Sequence, residues 1–350
     1  MIRVEIDLKA LKSNLRYIKK KAGVPVLAVV KADAYGHGLV RCAQAAIEAG
    51  ADYLGTATLS EAFALREAGI KAPLLAWLLP PGEDFKRAVQ LNIELGLSSL
   101  SAFDEVNAIP GAKIHLEVES GMGRGGFSNE WPELLNRDLS KVFGIFTHLA
   151  RADEPSEAQN KTQLENFEIF VNDLKARGVN PIRHLSNTAA TLSNPDAKYD
   201  MVRVGIAIYG LSPLGRDENL KPVMKIKAKL VLVKDLPKGH PIGYGASEVT
   251  KSDTKIGIVG MGYADGIPRN AKGAGVTFMG QTAPIIGRVS MDQFAVDLGA
   301  ESSAKSGDWV TVIGEKFDAY DWAQACQTIH YEITTRISQR VPRFYLEDKE

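Results

Sequence analysis

The chain has 350 residues, 45% of them hydrophobic, with 42 basic and 42 acidic side chains and a formal net charge of zero. That length can bury two separate cores. The balanced charge argues against a nucleic-acid or membrane-surface partner. No uncharged apolar run approaches the roughly 20 residues of a membrane span, and the amino terminus has no apolar signal core. Cys42 and Cys326 stand far apart without metal-ligand spacing, so neither a metal site nor a disulfide framework is expected, and a cytoplasmic setting is.

Up to about residue 215, short apolar runs alternate with helical patterns. The runs lie at 24–30, 53–57, 73–79, 93–97, 113–118, 142–148, 182–186 and 201–209, with helical segments such as 39–49, 60–68, 84–91, 102–108 and 157–176 between them. Continuous apolar runs of this length read as buried parallel strands. Eight such units over about 200 residues match a (β/α)8 TIM-type barrel; a doubly wound sheet shares the alternation. After a polar stretch at 215–221 the pattern changes. Lys225, Lys227 and Lys229 alternate with Met224, Ile226, Ala228 and Leu230, the period of a half-exposed antiparallel strand. Short runs at 256–261, 276–279, 283–289, 294–296 and 309–313 follow, then a helical pattern at 319–337. The expected organisation is a barrel over 1–215 and a second, mostly β domain over 216–350.

In a barrel, chemistry collects at the carboxyl ends of the strands. The first run stops at Lys31, and Asp33, Tyr35, Gly36, His37 and Gly38 follow in a short loop. A lysine beside apolar neighbours has a lowered pKa and can form a Schiff base; the plainer reading of Lys31 is a solvated cap. The fifth run leads into Glu117, Glu119 and Gly121 to Gly126, the sixth ends at His148, the seventh leads into Asn187 and Thr188, and the eighth carries Arg203 inside an apolar run. A buried arginine needs a partner. Thr188 also reads as a helix N-cap and His148 as a satisfied core histidine. Gly121-Met122-Gly123-Arg124-Gly125-Gly126 fits the dinucleotide pattern, but no helix opens there and no acidic residue follows at the required distance, so that reading is weak.

Residues 27–38 as a string resemble the pyridoxal-phosphate lysine motif of alanine racemases. Five further strings resemble that family in its order: Glu119 to Arg124, with Glu119-Ser120 where the family has Asp-Thr, then Asn187 to Ala190, Ile242 to Ala246, Gly260 to Gly266, and Gly287 to Gln293. The resemblance runs from the first strand to Pro342. It implies a pyridoxal 5'-phosphate enzyme that interconverts L-alanine and D-alanine, supplying D-alanine for peptidoglycan. It further implies a head-to-tail homodimer in which one barrel and the partner's β domain share each site. Lys31 is then the cofactor lysine and one base, and Tyr244 from the partner the other. Tyr35, Thr188, Gly205 and Ile206 form the phosphate cradle. Arg203 faces the pyridine nitrogen, and His148 joins it in a hydrogen-bond chain. Arg124, the Met291 amide and Tyr263 meet the substrate. Many members carry a carbamylated lysine where this chain has Glu117, which supplies an anion toward Arg124 without modification. A phenol, with an ordinary pKa of about 10, needs cationic neighbours to act as a base. A serine or broad-specificity racemase fits the same residues. A non-catalytic cofactor-binding barrel fits less well, because it would lack residues 216–350.

Overall fold

The computed structural model describes residues 1–347. It resolves into two compact units: Ala10–Ala34 with Leu39–Lys221, and Met1–Lys9 with Tyr35–Gly38 and the chain from Pro222 onward.

The first unit is built on eight parallel strands: Val26–Val29, Tyr53–Thr56, Leu74–Ala76, Glu94–Leu97, Ile114–Glu117, Val142–Phe146, Ile182–His184 and Val202–Val204. Each pairs in parallel with the next from Val26–Val29 to Ile182–His184, and the first also pairs with the last through Val26 and Val202. Between the last two, Asp200 N–H donates to Arg183 O at 3.1 Å and Arg203 N–H to Ser186 O at 2.9 Å, which closes the ring. The strands are mainly apolar because barrel interior and helix layer both exclude water: Leu27, Leu54, Leu75, Leu95, Leu116, Ile145 and Val204 are fully buried. Several helices between strands start at side-chain caps. Thr58 and Glu61 form a capping box on Leu59–Glu67, and Ser99 caps Leu100–Asn107. The eighth strand is shorter than its apolar run. Gly205 leaves the extended region at φ −112°, ψ −89°, and Ile206–Tyr209 winds into a 3-10 turn ended by Gly210 at φ 84°.

In the second unit the alternating stretch forms one 13-residue strand, Met224–Leu236, with its odd and even faces buried unequally. It pairs antiparallel with Ile2–Asp7, Thr254–Val259 and Trp309–Ile313. Ile2–Asp7 pairs in parallel with Arg343–Leu346, so both ends of the described chain lie in this sheet. Ile226, Leu230, Val259, Val312 and Phe294 are buried with Trp322, whose indole N–H donates to Val312 O at 2.7 Å. The expected single helix at 319–337 is two, Ala319–Cys326 and His330–Thr335, broken where Gln327 takes φ 57°. Among the described residues no helix is long and apolar enough to cross a membrane.

Candidate active site

Lys31 follows the first barrel strand directly. Its ammonium lies 5.8 Å from the Trp77 ring centroid and makes no hydrogen bond within the described residues. Burial, then the cationic Arg124 and Arg203, lower its pKa; only Glu61 opposes them. The segment after Lys31 is a hydrogen-bonded turn of left-handed helix in place of the expected loop. Ala32, Asp33, Ala34 and Tyr35 each have φ 54°, and Ala34 N–H donates to Val30 O at 2.8 Å. Non-glycine residues pay roughly 1–2 kcal/mol each for that region, so neighbouring bonds must hold it. Asp33 Oδ1 accepts from Leu39 N–H at 2.7 Å, and Glu61 Oε1 accepts from Ala32 N–H at 2.6 Å.

Arg203 is 6% exposed. Its Nη1 donates to the His184 carbonyl and lies 3.2 Å from His184 Nδ1; its Nη2 donates to Thr147 O at 2.7 Å and lies 3.3 Å from His148 Nδ1. Both terminal nitrogens are therefore used, and Nε has no partner among the described residues. Burial lowers Arg203 to about 10, with Glu117 opposing the shift. His148 is pushed down to about 3 by burial and by the charges of Arg203, Arg124 and Lys31, so it is a neutral ring near pH 7. The positive charge of the expected His148–Arg203 chain thus resides on Arg203 alone.

The fifth strand ends at Glu117, whose carboxyl is raised by burial while Arg203 and Arg124 pull it down. No ion pair within 4.0 Å joins Glu117 to Arg124 among the described residues; the two act through space. Residues 121–126 form a loop, not the start of a helix. Glu119, to which the sequence reading gave no role, organises it. One carboxylate oxygen accepts from Gly121 and Met122 N–H at 2.5 and 2.6 Å, the other from Gly123 and Arg124 N–H at 2.8 and 3.2 Å. The signal available was an acidic residue directly before a glycine-rich turn.

Thr188 begins the short helix Thr188–Ser193, but the N-cap is Asn187, whose side chain accepts from Ala190 N–H at 3.0 Å. Thr188 Oγ1 instead accepts from Gly205 N–H at 3.1 Å. The structure thus joins Thr188 to Gly205, next to Ile206, on neighbouring strand ends. In the second unit, Tyr35 lies 6.2 Å from the Tyr331 ring, and burial raises its phenol. Tyr263 N–H donates to Ser290 O at 3.0 Å and Ala264 N–H to Met291 O at 2.9 Å, so the Tyr263 turn and the Met291 loop form one surface. Tyr244 sits in the 3-10 turn Tyr244–Ala246 and is 67% exposed; Met291 and Tyr263 are 54% and 39% exposed.

The family profile for the alanine racemase N-terminal domain matches residues 6–213, and that for the alanine racemase C-terminal domain matches residues 223–345. The alanine racemase of Streptomyces coelicolor is 42% identical over 99% of this chain and 96% of its own length. The crystal structure of the alanine racemase from Streptomyces lavendulae, a D-cycloserine producer, superposes with a TM-score of 0.96 at 42% identity, covering 99% of this chain and 97% of that one. An alanine racemase from Bartonella henselae, solved with covalently bound pyridoxal phosphate, superposes with a TM-score of 0.91 at 27% identity, covering 99% of both chains. With both profiles matched and full-length relatives at this identity, the chain belongs to the alanine racemase family.

Proposed function

We propose that the chain is a pyridoxal 5'-phosphate-dependent alanine racemase, taking a small amino acid as substrate and working as a homodimer in the cytoplasm, where its D-alanine feeds peptidoglycan. The observation that carries the reading is the Lys31 amine at a barrel strand end, with its pKa lowered by burial and by two arginines. The donor set suits the cofactor. Lys31 offers an amine, Arg203 Nε an unpaired N–H, and Thr188 a hydroxyl proton beside the Ile206 amide for a phosphate, the Thr188 oxygen being held by Gly205 N–H.

When bound, the cofactor supplies an electron sink that acidifies the proton on the substrate Cα. Lys31, less readily protonated than an ordinary lysine, takes or returns that proton on one face. Tyr244 of the partner subunit serves the other face. His148 accepts from Arg203 through Nδ1, which places its remaining proton on Nε2 as a donor that favours a phenolate. Arg203, which keeps its proton near neutral pH, would hold the cofactor's pyridine nitrogen as a hydrogen-bond acceptor, a setting that disfavours its protonation. Arg124 and the Met291 amide hold the substrate carboxylate, and Tyr263 lines the entrance.

The test is D-alanine formation from L-alanine by the cofactor-loaded protein, run beside a panel of other L-amino acids. Turnover of alanine well above serine supports the assignment; no racemisation of any amino acid overturns it.

A further inference from the structure

Four side chains on four barrel strands form a continuous hydrogen-bond chain. Glu94 Oε2 lies 2.9 Å from His115 Nε2, His115 Nδ1 lies 2.8 Å from His184 Nε2, and His184 Nδ1 lies 3.2 Å from Arg203 Nη1. Exposures are 4%, 0%, 0% and 6% in that order. The rings are confined on several sides. Phe146 stacks on His184 at 5.1 Å and 13°, and Phe143 meets the His115 ring edge-on at 5.7 Å. A side chain at Gly144 would collide with the His115 ring, so that strand position must be glycine. No metal-ligand cluster exists among the described residues, so these atoms hold one another.

The two ends fix the direction of every proton. A guanidinium only donates and an ionised carboxylate only accepts. His184 Nδ1 must therefore accept from Arg203, leaving its proton on Nε2. His115 Nδ1 must then accept from His184, leaving its proton on Nε2 for Glu94. The reversed chain would set an N–H of His184 against an N–H of Arg203. Burial would raise the Glu94 carboxyl, but the His115 hydrogen bond and the Lys113 ammonium at 3.2 Å hold it below its ordinary range, which keeps it ionised. A carboxylate directly on Arg203 would cancel its charge. Two neutral rings in between set the geometry from a distance and leave that charge to act locally.

We propose that Glu94, His115 and His184 are positioning residues that lock the imidazole tautomers and thereby aim the Arg203 guanidinium, keeping its Nε–H and its charge for the cofactor's ring nitrogen. The proposal rests on the racemase reading for its consequence, though not for the tautomers.

The test uses 15N-histidine-labelled holoenzyme. Ring-nitrogen shifts in the unaltered protein are expected to show His115 and His184 both protonated at Nε2 and unprotonated at Nδ1. Glu94→Gln replaces the acceptor-only anion with an amide that also donates, so His115 should then populate both tautomers while Arg203 still holds His184. The variant's kcat should fall on the order of ten- to a hundredfold with KM held within about twofold, the pattern of a displaced catalytic group. A merely structural Glu94 would lower the melting temperature and leave the tautomers alone. A proton on His184 Nδ1 in the unaltered protein overturns the proposal, even if Glu94→Gln fails to fold. So does a folded Glu94→Gln protein with unchanged tautomers. An inactive unaltered protein whose tautomers are as expected would instead overturn the racemase reading.

Discussion

The carboxylate of Glu61 accepts from Ala32 N–H at 2.6 Å with one oxygen and from Ala57 and Thr58 N–H at 3.0 and 3.2 Å with the other. It thereby ties the start of the left-handed turn after Lys31 to the end of the next strand, while capping the helix Leu59–Glu67. Strained backbone persists where its surroundings over-determine it. Glu61→Ala should destabilise the protein by roughly 1–3 kcal/mol, as expected for charged hydrogen bonds left unmade. It should also weaken cofactor retention, because the turn then relaxes and Lys31 moves. Denaturant midpoints and cofactor retained through gel filtration read both effects. Unchanged retention in a destabilised variant would show that the turn does not place Lys31.

If Lys31 carries the cofactor, borohydride treatment of the holoenzyme followed by peptide mapping should leave a pyridoxyl group on Lys31. Lys31→Ala should bind the cofactor without covalent attachment. Its burial beside two arginines is the physical ground. A label on any other lysine removes the assignment.

The eight barrel strands were legible because burial on both faces leaves a continuous apolar run, a signal that is local in sequence. The long strand Met224–Leu236 was legible from its period of two. Ile2–Asp7 and Arg343–Leu346 were not assigned, since each is short and carries charges; Ile2–Asp7 is strand through its pairing with Met224–Leu236 and Arg343–Leu346, and the latter through Ile2–Asp7 alone. The left-handed turn was invisible because Ala32, Ala34 and Tyr35 have no preference for positive φ; bonds made by Asp33 and Glu61 hold it. Lys31, Arg203 and His148 stood out as ionisable groups at strand ends. His184 stood there too, without a role; Glu94 and His115 did not stand out, because each is one polar residue between apolar neighbours, and only barrel closure brings them to His184.

Acid should destabilise the fold through its buried histidines. His148 has a folded-state pKa of about 3 against an ordinary 6.5, and burial likewise lowers His184. Between those values the unfolded chain binds the proton and the folded one does not, so stability rises with pH across that window. The contribution is complete above pH 6.5 and is lost as pH falls toward 3. Urea midpoints measured from pH 7 to 4 should fall less steeply for His148→Gln than for the unaltered protein. Parallel curves would show that His148 does not titrate this way.

If Glu117 takes the place of the carbamylated lysine that the family resemblance implies, it needs no modification to be an anion. Activity should therefore not respond to added bicarbonate. Glu117 is felt by Arg203 and Arg124 through space and makes no direct pair with Arg124, so Glu117→Gln should raise KM by on the order of a few-fold, not abolish binding. Unaltered kinetics in Glu117→Gln would show the charge to be dispensable.

The last expectation concerns where the second base comes from. Racemisation needs a proton removed on one face of Cα and delivered on the other, so one base cannot serve both. Lys31 ends a barrel strand, whereas Tyr244 lies in the other compact unit, in a turn that leaves it 67% exposed. An exposed phenol becomes a base only where a neighbour favours its ionised form, and a second subunit can supply one through its Arg203 and His148. Tyr244→Phe should keep the cofactor and its absorbance yet lose turnover by on the order of 10²–10⁴-fold, with residual proton exchange confined to one enantiomer. Mixing that variant with Lys31→Ala separates the models. If sites are shared, each mixed dimer has one site with both bases intact, and random exchange at equal amounts restores up to about one quarter of full activity. If each chain supplies both of its own bases, every site lacks one and the mixture stays inactive. Subunit exchange shown by native mass spectrometry, with no activity returning, would establish that second arrangement.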